Sequence, residues 1–136
     1  MKTQAKGEFS VKRTVQAWDG PQAEADPTLG RFWLDKEFHG DLEATSFAMM
    51  LSAGGVEKGS AGYVAIEKVT GKLQDRQGSF MLQHNGTMNR GNPTLTVSVV
   101  PDSGTGELTG LCGEMKITIA EGKHSYEFEY TLATIQ

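Results

Sequence analysis

Hydrophobic and polar residues alternate with a period of two along most of the chain, and helical periodicity is scarce. In the first segment of this kind, Phe9, Val11 and Val15 alternate with polar side chains. The same pattern predicts seven further strands, over residues 31–38, 42–52, 63–73, 78–88, 93–100, 113–120 and 125–132. Eight strands joined by short turns predict an all-β fold, either a closed antiparallel barrel or a sandwich.

Turn residues separate these strands. Residues 18–21, Trp-Asp-Gly-Pro, end the first strand, and residues 22–30 form the longest predicted loop. Gly, Asp and Ser likewise predict a loop over residues 101–106. The chain has 136 residues and a mass of 14.7 kDa, and no change of composition divides it. We therefore expect one domain over residues 1–136.

The side-chain period of two allows hairpin registers to be predicted from the turns. A turn at residues 89–92 places His84 opposite Val97 and Gln83 opposite Ser98. A two-residue loop of Gly122 and Lys123 would place Ile119 opposite Tyr126 in the last hairpin. In this register the apolar side chains share the inner face, and His84 belongs to that face.

The most specific prediction concerns Glu67 and His84. A symmetric turn over residues 74–77 places these two residues directly opposite each other on an apolar face, whereas a loop of odd length would place Glu67 against Gln83. Burial disfavours a lone charge, and an adjacent opposite charge restores it. The pair could orient an imidazole as a general base or hold the polar end of a ligand. It could equally be a satisfied polar pair that fixes the strand register.

Composition and charge narrow the class of protein. The formal net charge is −4 and no basic stripe is visible, which argues against a nucleic-acid partner. The longest apolar run is far shorter than a membrane span, and the first residues do not resemble a signal peptide. The single Cys112 cannot form an internal disulfide and is expected to be a half-buried structural thiol. We expect a cytoplasmic protein without a membrane partner.

No metal site or cofactor is predicted. The three histidines are widely separated, and the glycines at 104–106 lack the spacing of a dinucleotide fingerprint. Arg13 interrupts the apolar face of the first strand, and it could point inward or reach solvent at the end of the barrel.

Several motifs, in this order, resemble those of a family of small bacterial proteins classed only as a domain of unknown function. They are Phe9-x-Val11, Trp18-Asp19, Phe38-x-Gly40-Asp41-Leu42-Glu43, Gly78-Ser79-Phe80-x-Leu82-Gln83-His84-x-Gly86, and the segment from Val100-Pro101 through Gly104-Thr105-Gly106 to Gly113-Glu114. The resemblance covers nearly the whole chain. It implies a closed, mainly antiparallel eight-stranded barrel similar to allene oxide cyclase and, more remotely, to the plant dirigent proteins. It also implies a homo-oligomer, and it transfers no catalytic residue.

Three functions follow as hypotheses. The leading one is the binding of a small apolar or amphipathic molecule in the barrel lumen, because an eight-stranded barrel holds packed side chains or one small ligand. Its candidate ligand-binding residues are Glu67, His84, Gln83, Arg13 and Tyr63. The second is an isomerase or cyclase that uses the pair of Glu67 and His84. The third is a non-catalytic structural or interaction protein that acts as a homo-oligomer. The sequence does not decide whether the protein is an enzyme.

Overall fold

A computed structural model describes residues 2–16 and 28–132, in which eight strands form one closed antiparallel barrel. Each strand pairs with its neighbours in the chain, and β8 pairs with β1. The strands are β1 (Thr3–Gln16), β2 (Leu29–Gly40), β3 (Leu42–Gly54), β4 (Ala61–Leu73), β5 (Arg76–Asn89), β6 (Asn92–Val99), β7 (Leu111–Ala120) and β8 (Lys123–Leu132). The prediction of an eight-stranded barrel is confirmed. The predicted turn at 18–21 and most of the predicted loop at 22–30 lie outside the described residues.

The alternation along each strand separates an inner from an outer face. On β4, Ala65, Glu67 and Val69 are buried in the barrel, while Val64 and Ile66, which alternate with them, are half-exposed. On β5, Leu82 and His84 are buried and Gln83 is exposed. Successive side chains of a strand point to opposite faces, so the period read in the sequence decides which residues line the lumen.

The hairpin registers confirm one prediction and correct two. His84 lies opposite Val97 in the β5–β6 hairpin, as predicted. In the β4–β5 hairpin, however, Glu67 lies opposite Leu82 and His84 lies opposite Ala65, so the predicted pairing of Glu67 with His84 is wrong by two residues. The last hairpin is displaced by the same amount, with Tyr126 opposite Ile117 and not Ile119.

Both corrections have the same physical cause. The β4–β5 turn contains only Gln74 and Asp75, with φ angles of 45° and 73°, and the β7–β8 turn contains only Glu121 and Gly122, with φ angles of 53° and 79°. Two consecutive residues with positive φ form the tight turn that matches the twist of a hairpin. Because each displacement is an even number of residues, every side chain keeps its predicted face.

One end of the barrel, which we call the closed end, is filled by the connection between β6 and β7. This connection carries a 3₁₀ turn at Gly106–Leu108, and Leu108 is 1% exposed within the core. Thr105 donates its backbone N–H to the Ser79 carbonyl oxygen at 2.8 Å, and Ser103 Oγ accepts the N–H of Met81 at 3.0 Å. The glycine-rich segment therefore closes the lumen at this end.

The opposite end, which we call the open end, has walls of unequal height. Strands β1 to β5 have 12 to 14 residues, whereas β6, β7 and β8 have 8, 10 and 10. Side chains at this end that follow the inner-face alternation are not covered: Val15 is 73% exposed and Ile119 is 66% exposed. Within residues 2–16 and 28–132, the inner surface of the barrel is thus covered at the closed end and solvent-accessible at the open end.

The number of paired residues also differs between neighbouring strands of the barrel. β4 and β5 pair along their whole lengths, whereas β6 and β7 share a single residue pair, Ser98 with Glu114. Within the described residues, β6 and β7 have fewer paired residues than any other two neighbouring strands of the barrel.

Candidate functional site in the barrel lumen

A buried ionic cluster lies halfway along the lumen, centred on Glu67, which is 0% exposed. Its Oε1 accepts hydrogen bonds from His84 Nε2 at 2.7 Å and from Lys36 Nζ at 3.1 Å. Its Oε2 accepts the hydroxyl of Ser46 at 2.5 Å. The carboxylate is thus bonded through both oxygens, and four strands contribute to the cluster: β2, β3 and β5 supply the three partners of Glu67 on β4.

The strand registers explain how these groups meet. Lys36 lies opposite Ser46 across β2 and β3, so both side chains point inward at the same height. Glu67 lies opposite Leu82, and His84 lies opposite Ala65. Glu67 and His84 are therefore diagonal neighbours across β4 and β5. Ala48 is opposite Glu67 on the other side, and this small side chain leaves space for the carboxylate to be reached from β2. Diagonal neighbours in a sheet lie within reach of long side chains.

The ionisation state of Glu67 follows from its partners. Burial by itself raises the pKa of this carboxyl, but the hydrogen bond from His84, the charge of Lys36 and the bond from Ser46 together lower the pKa to about 2. The favourable charges and donors therefore outweigh the desolvation. Glu67 is a carboxylate at neutral pH.

Lys36 is held by aromatic rings as well as by Glu67. Its Nζ lies 5.0 Å from the centroid of the Phe9 ring and 5.9 Å from that of Phe38. A cation over an aromatic face is attracted by the ring quadrupole, and more strongly when it is desolvated. The lysine side chain is only 6% exposed, so this ammonium group belongs to the core of the barrel and not to its rim.

The bonding of Glu67 also fixes the tautomer of His84. An ionised carboxylate only accepts hydrogen bonds, so Nε2 of His84 must carry the proton that it donates. Nδ1 of His84 makes no hydrogen bond with any residue in the described ranges 2–16 and 28–132. Nδ1 of His84 is therefore available to form a hydrogen bond with another group.

Tyr63 lies one step nearer to the open end. Its ring centroid is 6.4 Å from that of His84, and its ring covers Gly86, where an added Cβ would lie 2.5 Å from Tyr63 Cε1. Burial, and secondarily the charge of Glu67, raise the pKa of the Tyr63 hydroxyl, which therefore stays protonated. Within the described part of the chain this hydroxyl has no hydrogen-bond partner.

The other predicted site residues are more distant. Arg13 is on the inner face of β1 at the open end, where it is exposed and its guanidinium lies 4.7 Å from the centroid of Phe32. Gln83 is exposed on the outer face, between two inward-facing residues of β5. Cys112 is exposed, and the expectation of a half-buried thiol is wrong, because its position on β7 alternates with the buried Leu111.

The sequence reasoning missed Lys36 and Ser46. A signal for Lys36 was present, because it interrupts an alternating apolar series formed by Phe32, Leu34 and Phe38 on β2. A polar residue at such a position must be buried with a partner or lie at a barrel end. Ser46 gives a weaker signal, since serine is neutral and small enough to be buried without an ionic partner.

The described residues contain no group of three or more His, Cys, Asp or Glu side chains arranged to hold a metal ion. They also contain no helix of the length and hydrophobicity that a membrane crossing requires.

The fold and the cluster define a class of protein: a small antiparallel barrel, closed at one end by a glycine-rich loop, with a buried Glu-Lys-His cluster inside. The particular family follows from residues 5–130, which match the protein family of unknown function DUF3224, and the chain belongs to that family. A crystal structure of a DUF3224 protein of unknown function from Shewanella oneidensis MR-1 is similar to it. The two share 49% sequence identity and a TM-score of 0.90, over 98% of this chain and 100% of the other.

No curated protein matches the chain. The resemblance to a family of unknown function is confirmed by the DUF3224 match. The likeness to allene oxide cyclase stays a prediction.

Proposed function

We propose that this DUF3224 protein binds a small amphipathic molecule in its lumen, with the polar group of the molecule next to Tyr63 and His84 and its apolar part at the open end. The observation that carries the proposal is the contrast between the two ends of one inner surface. Leu108 and its neighbours seal the closed end, whereas inward-facing Val15 and Ile119 stay exposed at the other.

The chemistry of the polar group follows from what the cluster leaves unused. Glu67 is bonded through both oxygens, and Lys36 lies between Glu67 and two aromatic rings. The groups that remain are the protonated hydroxyl of Tyr63 and Nδ1 of His84, one donor and one acceptor when the imidazole is neutral. An alcohol, phenol or similar uncharged polar group satisfies both, since a hydroxyl donates one hydrogen bond and accepts another.

Arg13 adds a further element at the rim. Its guanidinium lies over Phe32 at the open end, where a ligand's apolar part would pass. A stacked guanidinium offers both a flat apolar surface and hydrogen-bond donors to an outer polar substituent. Gln83 has no part in this proposal, because it lies on the outer face.

The proposal is tested with the uncharged dye Nile red as a fluorescent probe and 1-decanol as its competitor, after native mass spectrometry of freshly purified protein. Ile119→Asp introduces a charge on the inner face at the open end. We expect it to weaken probe binding by about 10-fold or more, since burial of an isoleucine contributes at least ~1.5 kcal/mol.

Ile66→Asp is the matched control, because Ile66 is a half-exposed isoleucine on the outer face of β4. It should leave the affinity for the probe within about 2-fold of the unmodified protein, as expected for a residue outside the site. Equal loss in both variants, or the absence of both saturable binding and a co-purified molecule, would refute luminal binding.

A second candidate function is catalysis of an isomerisation or cyclisation, favoured by one observation. Glu67 orients His84 through a 2.7 Å bond and leaves Nδ1 unbonded among the described residues, which is the arrangement of a general base. Turnover of lipid epoxides would support this candidate if it is lost in both Glu67→Gln and His84→Gln. Turnover that persists in these variants would exclude the pair as the catalytic group.

A further inference from the structure

Five large apolar side chains form a continuous patch on the outside of the barrel. Phe47, Met49 and Leu51 of β3 and Val64 and Ile66 of β4 are each between 42% and 50% exposed, although they point away from the lumen. We call these five residues the outer apolar patch. Single exposed apolar residues are normal on a protein surface, but a contiguous group of this size marks an interaction site.

The strand register makes the patch continuous. Met49 lies directly opposite Ile66, and Leu51 lies opposite Val64. Trp33 of β2 extends the patch, because its ring stacks on Phe47 with centroids 5.4 Å apart and an interplanar angle of 7°. An outer surface of a regular sheet with aligned apolar side chains is suited to packing against another sheet.

Charges of both signs surround the patch. Phe47 lies between Asp35 of β2 and Lys68 of β4, and Leu51 lies opposite Arg31 of β2. Asp35 accepts a hydrogen bond from Trp33 Nε1 at 3.3 Å, so its carboxylate sits directly at the edge of the aromatic pair. A partner that carries a single sign of charge, such as an anionic membrane surface, would meet Asp35 unfavourably.

We infer that a second copy of this chain covers the outer apolar patch, forming a two-fold dimer by packing one sheet face on another. A two-fold interface is built from the same surface on both copies and must be self-complementary. The outer apolar patch together with Trp33 measures about 15 Å across β2, β3 and β4 and about 17 Å along five residues. A standard interface buries about 800 Å² on each partner, so the patch would form the apolar centre of a larger contact surface.

The arrangement of charges meets the requirement of self-complementarity. When the two-fold axis runs along the strands, Asp35 of one copy faces Lys68 of the other. When the axis runs across the strands, Asp35 faces Arg31 of the other. In both cases the apolar residues oppose one another in the centre and a carboxylate meets a cation at the rim, which is the usual anatomy of an interface.

The dimer is tested by sedimentation velocity of the full chain over a range of protein concentrations. We expect a species of twice the 14.7 kDa monomer mass. Ile66→Asp places a charge in the centre of the patch and should weaken dimerisation by about 30-fold or more, the effect of a residue at the centre of an interface. Thr118→Asp, a matched outer-face substitution on β7, should leave the dimer unchanged.

A charge exchange tests the rim. Asp35→Lys should weaken the dimer, and addition of Lys68→Asp or Arg31→Asp should restore it. The variant that restores the dimer identifies the direction of the two-fold axis.

A monomer at every concentration, or a dimer that survives Ile66→Asp, would overturn the proposal. Luminal binding is assessed separately, because Ile119→Asp should weaken probe binding without altering the mass, whereas Ile66→Asp should lower the mass without weakening probe binding.

Discussion

Replacement of Glu67 by glutamine tests the ionic cluster most directly. The variant keeps the shape of the side chain but leaves the Lys36 ammonium, 3.1 Å away, without its counter-charge in a side-chain environment that is 6% exposed. Breaking a buried ion pair by removing one partner costs about 3–5 kcal/mol. We expect the free energy of unfolding to fall by an amount near the lower end of this range, because the amide oxygen of glutamine still accepts one hydrogen bond.

The pKa of Glu67 reflects the same contacts. The pKa falls from 4.5 to about 2 on folding, and a difference of this size corresponds to about 3 kcal/mol at 1.36 kcal/mol per unit. Because the pKa is lower in the folded state, this stability is fully present above pH 4.5. It is lost progressively as the pH falls from 4.5 towards 2.

Urea unfolding followed between pH 2 and pH 7 measures the free energy of unfolding of both proteins. The Glu67→Gln variant should be less stable by about 3 kcal/mol at pH 7, equivalent to a melting temperature roughly 10 °C lower. The difference between the two proteins should narrow towards pH 2, where Glu67 of the unmodified protein is increasingly protonated. A difference below about 1 kcal/mol at pH 7, or one that does not change with pH, would refute the ionic account of the cluster.

The double variant Lys36→Met with Glu67→Met is the control. It removes both charges together, and replacement of a buried ion pair by apolar side chains of similar volume is often neutral or stabilising. It should therefore be more stable than Glu67→Gln alone. If it were less stable, the cost would lie in packing and not in an unpaired charge.

Three further substitutions test the parts of the barrel around the cluster. Tyr126→Phe removes the hydroxyl that accepts the Leu42 N–H at 2.9 Å and should lower the free energy of unfolding by about 1–3 kcal/mol in urea titrations. Gly86→Ala places a Cβ 2.5 Å from the Tyr63 ring and should cost about 1–3 kcal/mol while reducing probe binding in fluorescence titrations. Gly78→Ala brings a Cβ against the loop backbone, and faster amide exchange at Leu108 should show that the closed end has loosened; unchanged exchange would contradict the assigned role of the loop.

The sequence predicts the strands well because alternation depends on burial, which acts on every residue of a strand. It predicts registers less well, because a register depends on the few residues of a turn. Arg90 and Gly91 form a turn that glycine signals, and the β5–β6 register was predicted correctly. The turn of Gln74 and Asp75 has no glycine, so nothing in the sequence marks its two positive φ angles. Gly122 does mark the last turn, but it is the second turn residue and not the first, which displaces that register by two residues.

The sequence predicts Glu67 and His84 of the candidate site but not Lys36, because a local pattern specifies the face of a strand and not the order of the strands. Glu67 and His84 were placed on one apolar face, and they are bonded even though their predicted direct pairing is wrong, because an even shift preserves the face. Lys36 lies 31 residues before Glu67 and reaches it across β3. That contact depends on strand order and barrel closure, which no local pattern encodes.

The single residue pair between β6 and β7 has a consequence for the kinetics of the barrel. Local opening of a protein begins where few backbone hydrogen bonds must be broken. β6 and β7 should therefore separate on a faster timescale than β4 and β5. Leu95 and Val97 on β6 face the lumen and would swing outward with this strand. Under the proposed luminal binding, separation of β6 from β7 would set the rate at which a molecule enters or leaves, while the fully paired β4 and β5 stay together.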